Sequence, residues 1–242
     1  VKDTGKIPID IKKETIDYKT KKDKSYSHGW WGKHSYEGNP WVKNVSRPKQ
    51  PTAALAGKHL SVWQSHGSYY DKQKGFWKWQ RPLLFSTTED LFTQTIVVPY
   101  LIPMLENAGA VVFTPRERDW QPNEVIVDND KGSYIPNEVI YDGYNPFSEG
   151  SVKRTHATKQ EEEFVTYQPN IPEAGNYAVY VSYTTEDKSV DDALYCVYHD
   201  GMRTDFRVNQ RMGGGTWVYL GTFYFGTGSS EYNKIVVSSQ SS

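Results

Sequence analysis

Apolar and polar positions follow different rules in the two halves of this chain. From Gly57, the segment Lys58-His59-Leu60-Ser61-Val62-Trp63-Gln64-Ser65 alternates well enough to predict a strand that ends at His66-Gly67. An aromatic, charged loop follows, carrying Tyr69, Tyr70, Phe76, Trp77 and Trp79. Over 87–107 the spacing changes to three and four. Leu91, Phe92, Thr95, Val98, Ile102, Leu105 and Ala108 then mark one buried face of a helix. Ser86-Thr87-Thr88-Glu89 fits a capping box at its start, and Gly109 suits its C-terminal stop. Pro99 and Pro103 should kink or loosen its middle. Ala110-Val111-Val112-Phe113-Thr114 reads as a second strand, which completes a βαβ unit with parallel strands and a right-handed crossover.

From about Phe164 the pattern is all-β. Short alternating strands are predicted at 163–167, 176–184, 193–198, 203–208, 216–225 and 233–238, separated by clusters of Gly, Pro, Asp and Asn. That spacing predicts a β-sandwich, jelly-roll-like. The fold class expected is therefore an α/β piece with an incomplete parallel sheet, followed by an all-β sandwich. Two parallel strands and one helix cannot cover both faces of a sheet. Either 1–56 and 120–160 add strands, or the sheet is completed by polypeptide outside this chain. Residues 1–26 are polar and Lys-rich, a flexible lead-in or a basic partner-binding tail, and 28–51 mix aromatics with turn formers. The Pro-Asn-Glu-Val-Ile segment at 122–126 recurs at 136–140 and predicts two short strands or turns. The division expected is an irregular lead-in (1–56), the α/β piece (57–120), a connecting segment (121–161) and the sandwich (162–242).

Composition narrows the classes. Of 242 residues, 37% are hydrophobic and 14% aromatic, enough for a packed core and against disorder over most of the length. A net charge of -1 gives no reason to expect nucleic acid or an anionic membrane as partner. The chain has no apolar run near the roughly 18 residues of a membrane span. Its single cysteine, Cys196, excludes a disulfide framework and a Cys-type zinc site, and its strand context reads as a buried small residue. The chain begins at Val1 without a signal peptide, which reads as a processed or trimmed product.

Chemistry concentrates at one edge of the βαβ unit. His66 lies at the predicted strand end and Glu89 in the first helical turn, and these meet on the same side of an open α/β sheet. A His and a carboxylate there can share a metal. The plainer alternatives are that Glu89 closes the capping box with Ser86 and that His66 only faces the loop beside Gly67.

Residues 57–119 resemble the opening of a zinc-dependent N-acetylmuramoyl-L-alanine amidase. The likeness rests on Ser65-His66-Gly67, Thr88-Glu89-Asp90, Leu105-Glu106-Asn107-Ala108-Gly109 and Val112-Phe113-Thr114-Pro115-Arg116-Glu117-Arg118-Asp119. The chain departs from the pattern at Ser65, where a Gly-rich turn is usual, and at Pro115, inserted before Arg116. The resemblance implies Zn2+ held by His66 and Glu89, a further His ligand, and a catalytic Glu near the domain end. The bond cut would join the lactyl group of N-acetylmuramic acid to L-alanine. Past Asp119 the histidines are His156 and His199, neither in a Ser-x-His-x-Asn-like context. The remaining ligand and the base are therefore expected outside this chain, which alone should be inactive. Tyr69, Tyr70, Trp77 and Trp79 would form a substrate wall, or else a surface loop packed on the body.

Residues 162–240 resemble the golvesin C-terminal-like domain, known also as a xanthan-lyase carbohydrate-binding-like domain. Ile171-Pro172-Glu173-Ala174-Gly175-Asn176-Tyr177 through Tyr183 carries the likeness, as do Val208-Asn209-Gln210 and Gly213-Gly214-Gly215-Thr216-Trp217-Val218-Tyr219-Leu220-Gly221. It implies a sandwich inserted in the amidase-like domain. Trp217, Tyr219 and Tyr224 either stack on sugar rings or fill the core. The glycine triplet reads as a turn and not a phosphate loop. Asp191-Asp192 would bind calcium or stay solvated. Three functions follow in order. The first is part of a cell-wall hydrolase acting on peptidoglycan. The second is a non-catalytic polysaccharide- or protein-binding module with a degenerate amidase core. The third is a xanthan-lyase-like enzyme, for which no Tyr/His/Arg constellation is evident. The resemblance places the protein outside the cytoplasm.

Overall fold

The computed structural model describes residues 38–116, 118, 123–129, 132–134, 139–142 and 151–242. The Lys-rich lead-in and residues 135–138 lie outside them. In chain order the strands are β1 (Val42–Asn44), β2 (His59–Ser61), β3 (Ser68–Asp71), β4 (Phe76–Trp79), β5 (Val111–Phe113), β6 (Ser133–Tyr134), β7 (Val139–Asp142) and β8 (Ser151–Arg154). They continue as β9 (Glu163–Tyr167), β10 (Gly175–Val181), β11 (Ala193–His199), β12 (Met202–Val208), β13 (Val218–Phe225) and β14 (Lys234–Ser238).

The C-terminal strands fall within a few residues of their predicted positions and form a β-sandwich. Four of them, with β1 and β6 at the edges, build one antiparallel sheet in the order β1-β12-β11-β14-β9-β6, and β10 pairs with β13 in a second. The strands thus divide six and two, not evenly as in a jelly roll. Side chains alternate across a strand, so Ala193, Tyr195 and Val197 of β11 enter the core with Val179, Phe206, Val208, Leu220 and Phe225. Leu194 and Cys196 point the other way and are buried against Val236. Tyr195 keeps its hydroxyl satisfied by accepting from Gln210 Nε2 at 2.8 Å.

Strand β1 was not foreseen in the irregular 28–51 stretch. It is three residues long and lies on the sheet edge, paired Val42↔Val208 and Asn44↔Phe206. Trp41, just before it, ties the sandwich to the βαβ unit. Its ring stacks on Phe113 with centroids 5.9 Å apart, its indole N–H donates to Tyr183 Oη at 2.7 Å, and its backbone N–H donates to His59 Nε2 at 2.9 Å. The glycine triplet is a turn, and Gly213 is required in it. Its φ is +70°, and a Cβ there would lie 2.0 Å from Trp41 Cζ2.

In the βαβ unit, β2 and β5 pair in parallel with Leu60 opposite Val112. The connection is α1 (Glu89–Ile96), a π-helical turn at Val97–Leu101, and α2 (Ile102–Asn107). Pro99 lies in that turn, where its missing N–H cannot serve an α-helical bond. Three expectations are corrected here. Strand β2 stops at Ser61, so His66 lies in a loop beyond it. Of the predicted buried face, Ile102 is buried but Phe92 and Thr95 are exposed, because the wide turn shifts the phase between the two helical halves. The N-cap is Thr88, not Ser86: Thr88 Oγ1 accepts from Leu91 N–H at 3.2 Å.

Candidate functional site

The position of the cap decides what Glu89 can do. With Thr88 as N-cap, Glu89 is the first helical residue and does not reach back to close a capping box with Ser86. Its carboxylate turns instead toward His66. Asp90, one position on, is fully buried and serves the loops: Oδ1 accepts from Gly67 N–H at 2.8 Å and Oδ2 from Arg81 N–H at 3.1 Å. Gly67 O also accepts from Gln80 N–H at 3.0 Å. Asp90 therefore pins both feet of the segment between Gly67 and Arg81 onto the helix start.

Gly67 is the second obligatory glycine. Its φ is +72°, and a Cβ would lie 1.8 Å from Nη1 of Arg116, whose guanidinium also lies 5.7 Å from the Trp63 ring centroid. This close approach aims the preceding residue. His66 Nε2 comes to 4.0 Å from Glu89 Oε1, with both side chains partly exposed. Arg81 joins them: Nη2 is 2.8 Å from His66 Nε2 and Nε is 3.7 Å from Glu89 Oε2. Arginine has only donors, so the His66 nitrogen facing it carries its lone pair.

An imidazole and a carboxylate are donor types that zinc takes, and here the His66 nitrogen is already met by Arg81. Zinc sits about 2.0–2.1 Å from imidazole nitrogen and carboxylate oxygen. A separation of 4.0 Å is spanned by one ion between them in a nearly linear arrangement. Tetrahedral angles require the pair to close by roughly half an ångström, which two exposed side chains allow. Among the described residues no further His, Cys, Asp or Glu joins them in a group of three. His199 is packed away in the sandwich, bonded to Thr204 Oγ1 at 2.9 Å and against Phe223, and burial lowers its pKa.

The aromatic loop is a β-hairpin. Strands β3 and β4 pair Tyr70 with Trp77 and Tyr69 with Lys78. Opposed residues share a face, so Tyr70, Trp77 and Trp79 lie together on one side, with Tyr70 and Trp77 edge-on at 5.8 Å. Tyr69 is on the other side under Lys78, 5.1 Å from its ring centroid. There Lys78 Nζ is 2.8 Å from Asp71 and holds that carboxyl below its usual range.

The sandwich contributes a separate concavity of about 1040 Å³, which does not include His66 or Glu89. Trp217, Tyr177 and Tyr180 line it, with Lys153, Arg154 and His156. Trp217 is thus placed on a wall. Tyr219 is not free to stack on a ring: Arg118 covers it at 3.7 Å from the centroid, and Tyr180 packs at 5.4 Å. Tyr224 is exposed. Asp191 and Asp192 do not form an open carboxylate pair. Asp191 pairs with Arg211 at 3.3 Å, and Asp192 is buried, accepting from Ser241 Oγ and Ser242 N–H.

Residues 125–242 match the golvesin C-terminal domain. The golvesin-like region begins ahead of the predicted sandwich start at 162 and takes in β6, which pairs with β9. Xanthan lyase of Bacillus sp. (strain GL1) is 40% identical over 65 residues, 27% of this chain and 7% of that protein. The solved Paenibacillus xanthan lyase is 23% identical and covers 47% of this chain and 11% of its own, with a TM-score of 0.40. The chain therefore spans about a tenth or less of the length of these relatives. No helix among the described residues is long and apolar enough to cross a membrane.

Sequence reasoning missed Asp90 and Arg81. A carboxylate in a first helical turn ordinarily signals the helix's own N-terminus, and nothing in local spacing reveals a bond to a loop 23 residues away.

Proposed function

We propose that this chain is the metal-binding and glycan-facing portion of a peptidoglycan hydrolase acting outside the cytoplasm, with His66 and Glu89 as two ligands of a catalytic zinc. The observation that carries it is the 4.0 Å approach of the His66 and Glu89 side chains at the edge of a parallel βαβ unit. The amidase resemblance of residues 57–119 supports it. The bound ion would supply Lewis-acid polarisation of an amide carbonyl and a water of lowered pKa. His66 offers a ring nitrogen and Glu89 a carboxyl oxygen. Asp90 holds the loop of one to the helix of the other. The exposed Tyr70–Trp77 face of the hairpin, one ring edge-on to the other, offers a sugar ring an apolar contact.

Calorimetric titration of zinc into the purified chain tests this. We expect one weak site, lost in His66→Ala, and no stem peptide released from peptidoglycan by the chain alone, since a third ligand and a base are also needed. Zinc binding unchanged in His66→Ala overturns the reading.

A second reading is favoured by the cleft walled by Trp217 and by the golvesin match: a non-catalytic module that binds polysaccharide through the sandwich. It predicts co-sedimentation with polysaccharide that is insensitive to chelator and reduced in Trp217→Ala. Equal retention of the variant counts against it.

A further inference from the structure

We propose that the outward face of the crossover helix is a self-association surface, on which a second copy of this chain packs about a twofold axis. The face is apolar and open. Phe92, Ile96, Tyr100 and Met104 recur at every fourth position and are 60%, 48%, 63% and 68% exposed. On the opposite side of the same helix, Val97, Ile102 and Leu105 pack in one cluster with Leu60 and Val112 of the β2–β5 sheet. Residues 91–105 carry no charged side chain. A helix that is apolar all round belongs between two layers, and the β2–β5 sheet supplies one of them.

The π-helical turn keeps the stripe straight. In an unbroken α-helix, four-residue steps would carry Met104 roughly a third of a turn away from Phe92. The wider turn at Val97–Leu101 takes up an additional residue and cancels most of that drift.

The stripe is its own complement. About an axis near Val98, two antiparallel helices set Phe92 against the partner's Met104 and Ile96 against the partner's Tyr100. A thioether on an aromatic ring is a favourable contact. Like charges do not meet: Asp90 is turned into the loops, and Glu106 is held by Arg118 at 2.6 Å. The area is also sufficient. With 150–250 Å² for a full aromatic side chain, the helix offers about 600 Å² of apolar surface. The turn just before its N-terminus adds Leu83, Leu84 and Phe85, the last 93% exposed and at a φ of +50° that a bulky residue rarely adopts. The sum reaches the roughly 800 Å² that each partner buries in a standard interface. A lipid surface fits less well. Interfacial helices carry Lys and Arg on their polar face, whereas the charges flanking this one in sequence are Glu89, Asp90 and Glu106.

Sedimentation equilibrium of the intact chain over a wide range of concentration, at low and high salt, tests this. The wild type, Ile96→Glu, Met104→Lys and Tyr224→Glu are compared, and thermal melting confirms folding of each. Ile96 and Met104 are exposed in the single chain, so both variants should fold. We expect a wild-type dimer that high salt does not weaken. Ile96→Glu and Met104→Lys should dissociate at least about tenfold more readily, because each dimer would bury two unpaired charges. Tyr224→Glu, exposed on the sandwich, should dimerise like the wild type. A wild-type monomer at every concentration overturns the proposal, as does a dimer unchanged in both folded helix variants. A wild-type monomer that co-sediments with phosphatidylcholine–phosphatidylserine vesicles, and ceases to do so as Ile96→Glu, also overturns it and assigns the face to a membrane.

Discussion

Asp90 and Gly67 are 23 residues apart and joined by a 2.8 Å hydrogen bond from the Gly67 N–H to the buried Asp90 Oδ1. That bond, with its partner to Arg81 N–H, sets the distance between the loop bearing His66 and the helix bearing Glu89. Replacing Asp90 by Ala leaves two backbone donors without their acceptor. A buried donor left unsatisfied costs about 1–3 kcal/mol, so Asp90→Ala should lower stability in urea by about 2–4 kcal/mol. Asp90→Asn keeps one acceptor and should lose less. An Asp90→Ala protein as stable as the wild type contradicts the clamp.

Gly67→Ala should be damaging for a different reason. The residue has φ +72°, and the new methyl would sit on Arg116. Left-handed backbone strain and displacement of the guanidinium together should cost about 1–3 kcal/mol. Ala at Gly175, where a Cβ meets nothing within 4 Å and φ is ordinary, is the control and should be near neutral. Equal stability of the two variants removes the argument.

Much of the sandwich was legible because its strands alternate and are punctuated by turn residues. The 193–198 and 203–208 predictions fall inside β11 and β12. Strand β1 was not legible, since three residues carry no periodicity and their pairing is templated by Val208 and Phe206 on β12. The helix was legible as a helix but not in its faces, because the π-helical turn around Pro99 breaks the 3.6-residue phase that placed Phe92 inside. His66 and Glu89 were legible as partners through topology. Arg81 was not, because its approach depends on the hairpin folding back.

Acid should weaken the fold through two histidines. Burial lowers the pKa of both His59 and His199 from the model-peptide value of 6.5. The unfolded chain then binds protons that the folded one refuses. This lost stability sets in as pH falls below about 6.5 and levels off below the folded pKa values. His59 also accepts the Trp41 N–H through Nε2, a bond its protonation removes. Melting curves between pH 8 and 5 should show a falling midpoint, with a smaller fall in His199→Phe. A flat profile in the wild type contradicts the assignment.

Cys196 should be chemically silent in the folded protein. Burial, with the Asp205 carboxylate as a smaller contributor, pushes its thiol up to about 12. Labelling with a thiol-specific disulfide reagent should be complete in denaturant and negligible in native buffer. Rapid native labelling contradicts burial between β12 and β14 on the outer face of the large sheet.

The pairing of His66 with Glu89 around one metal is tested most directly by X-ray absorption at the zinc edge on the zinc-loaded chain. The account predicts nitrogen and oxygen neighbours with the outer-shell scattering of one imidazole, and loss of that imidazole signal in His66→Ala. A spectrum without imidazole scattering, or one unchanged in His66→Ala, contradicts it.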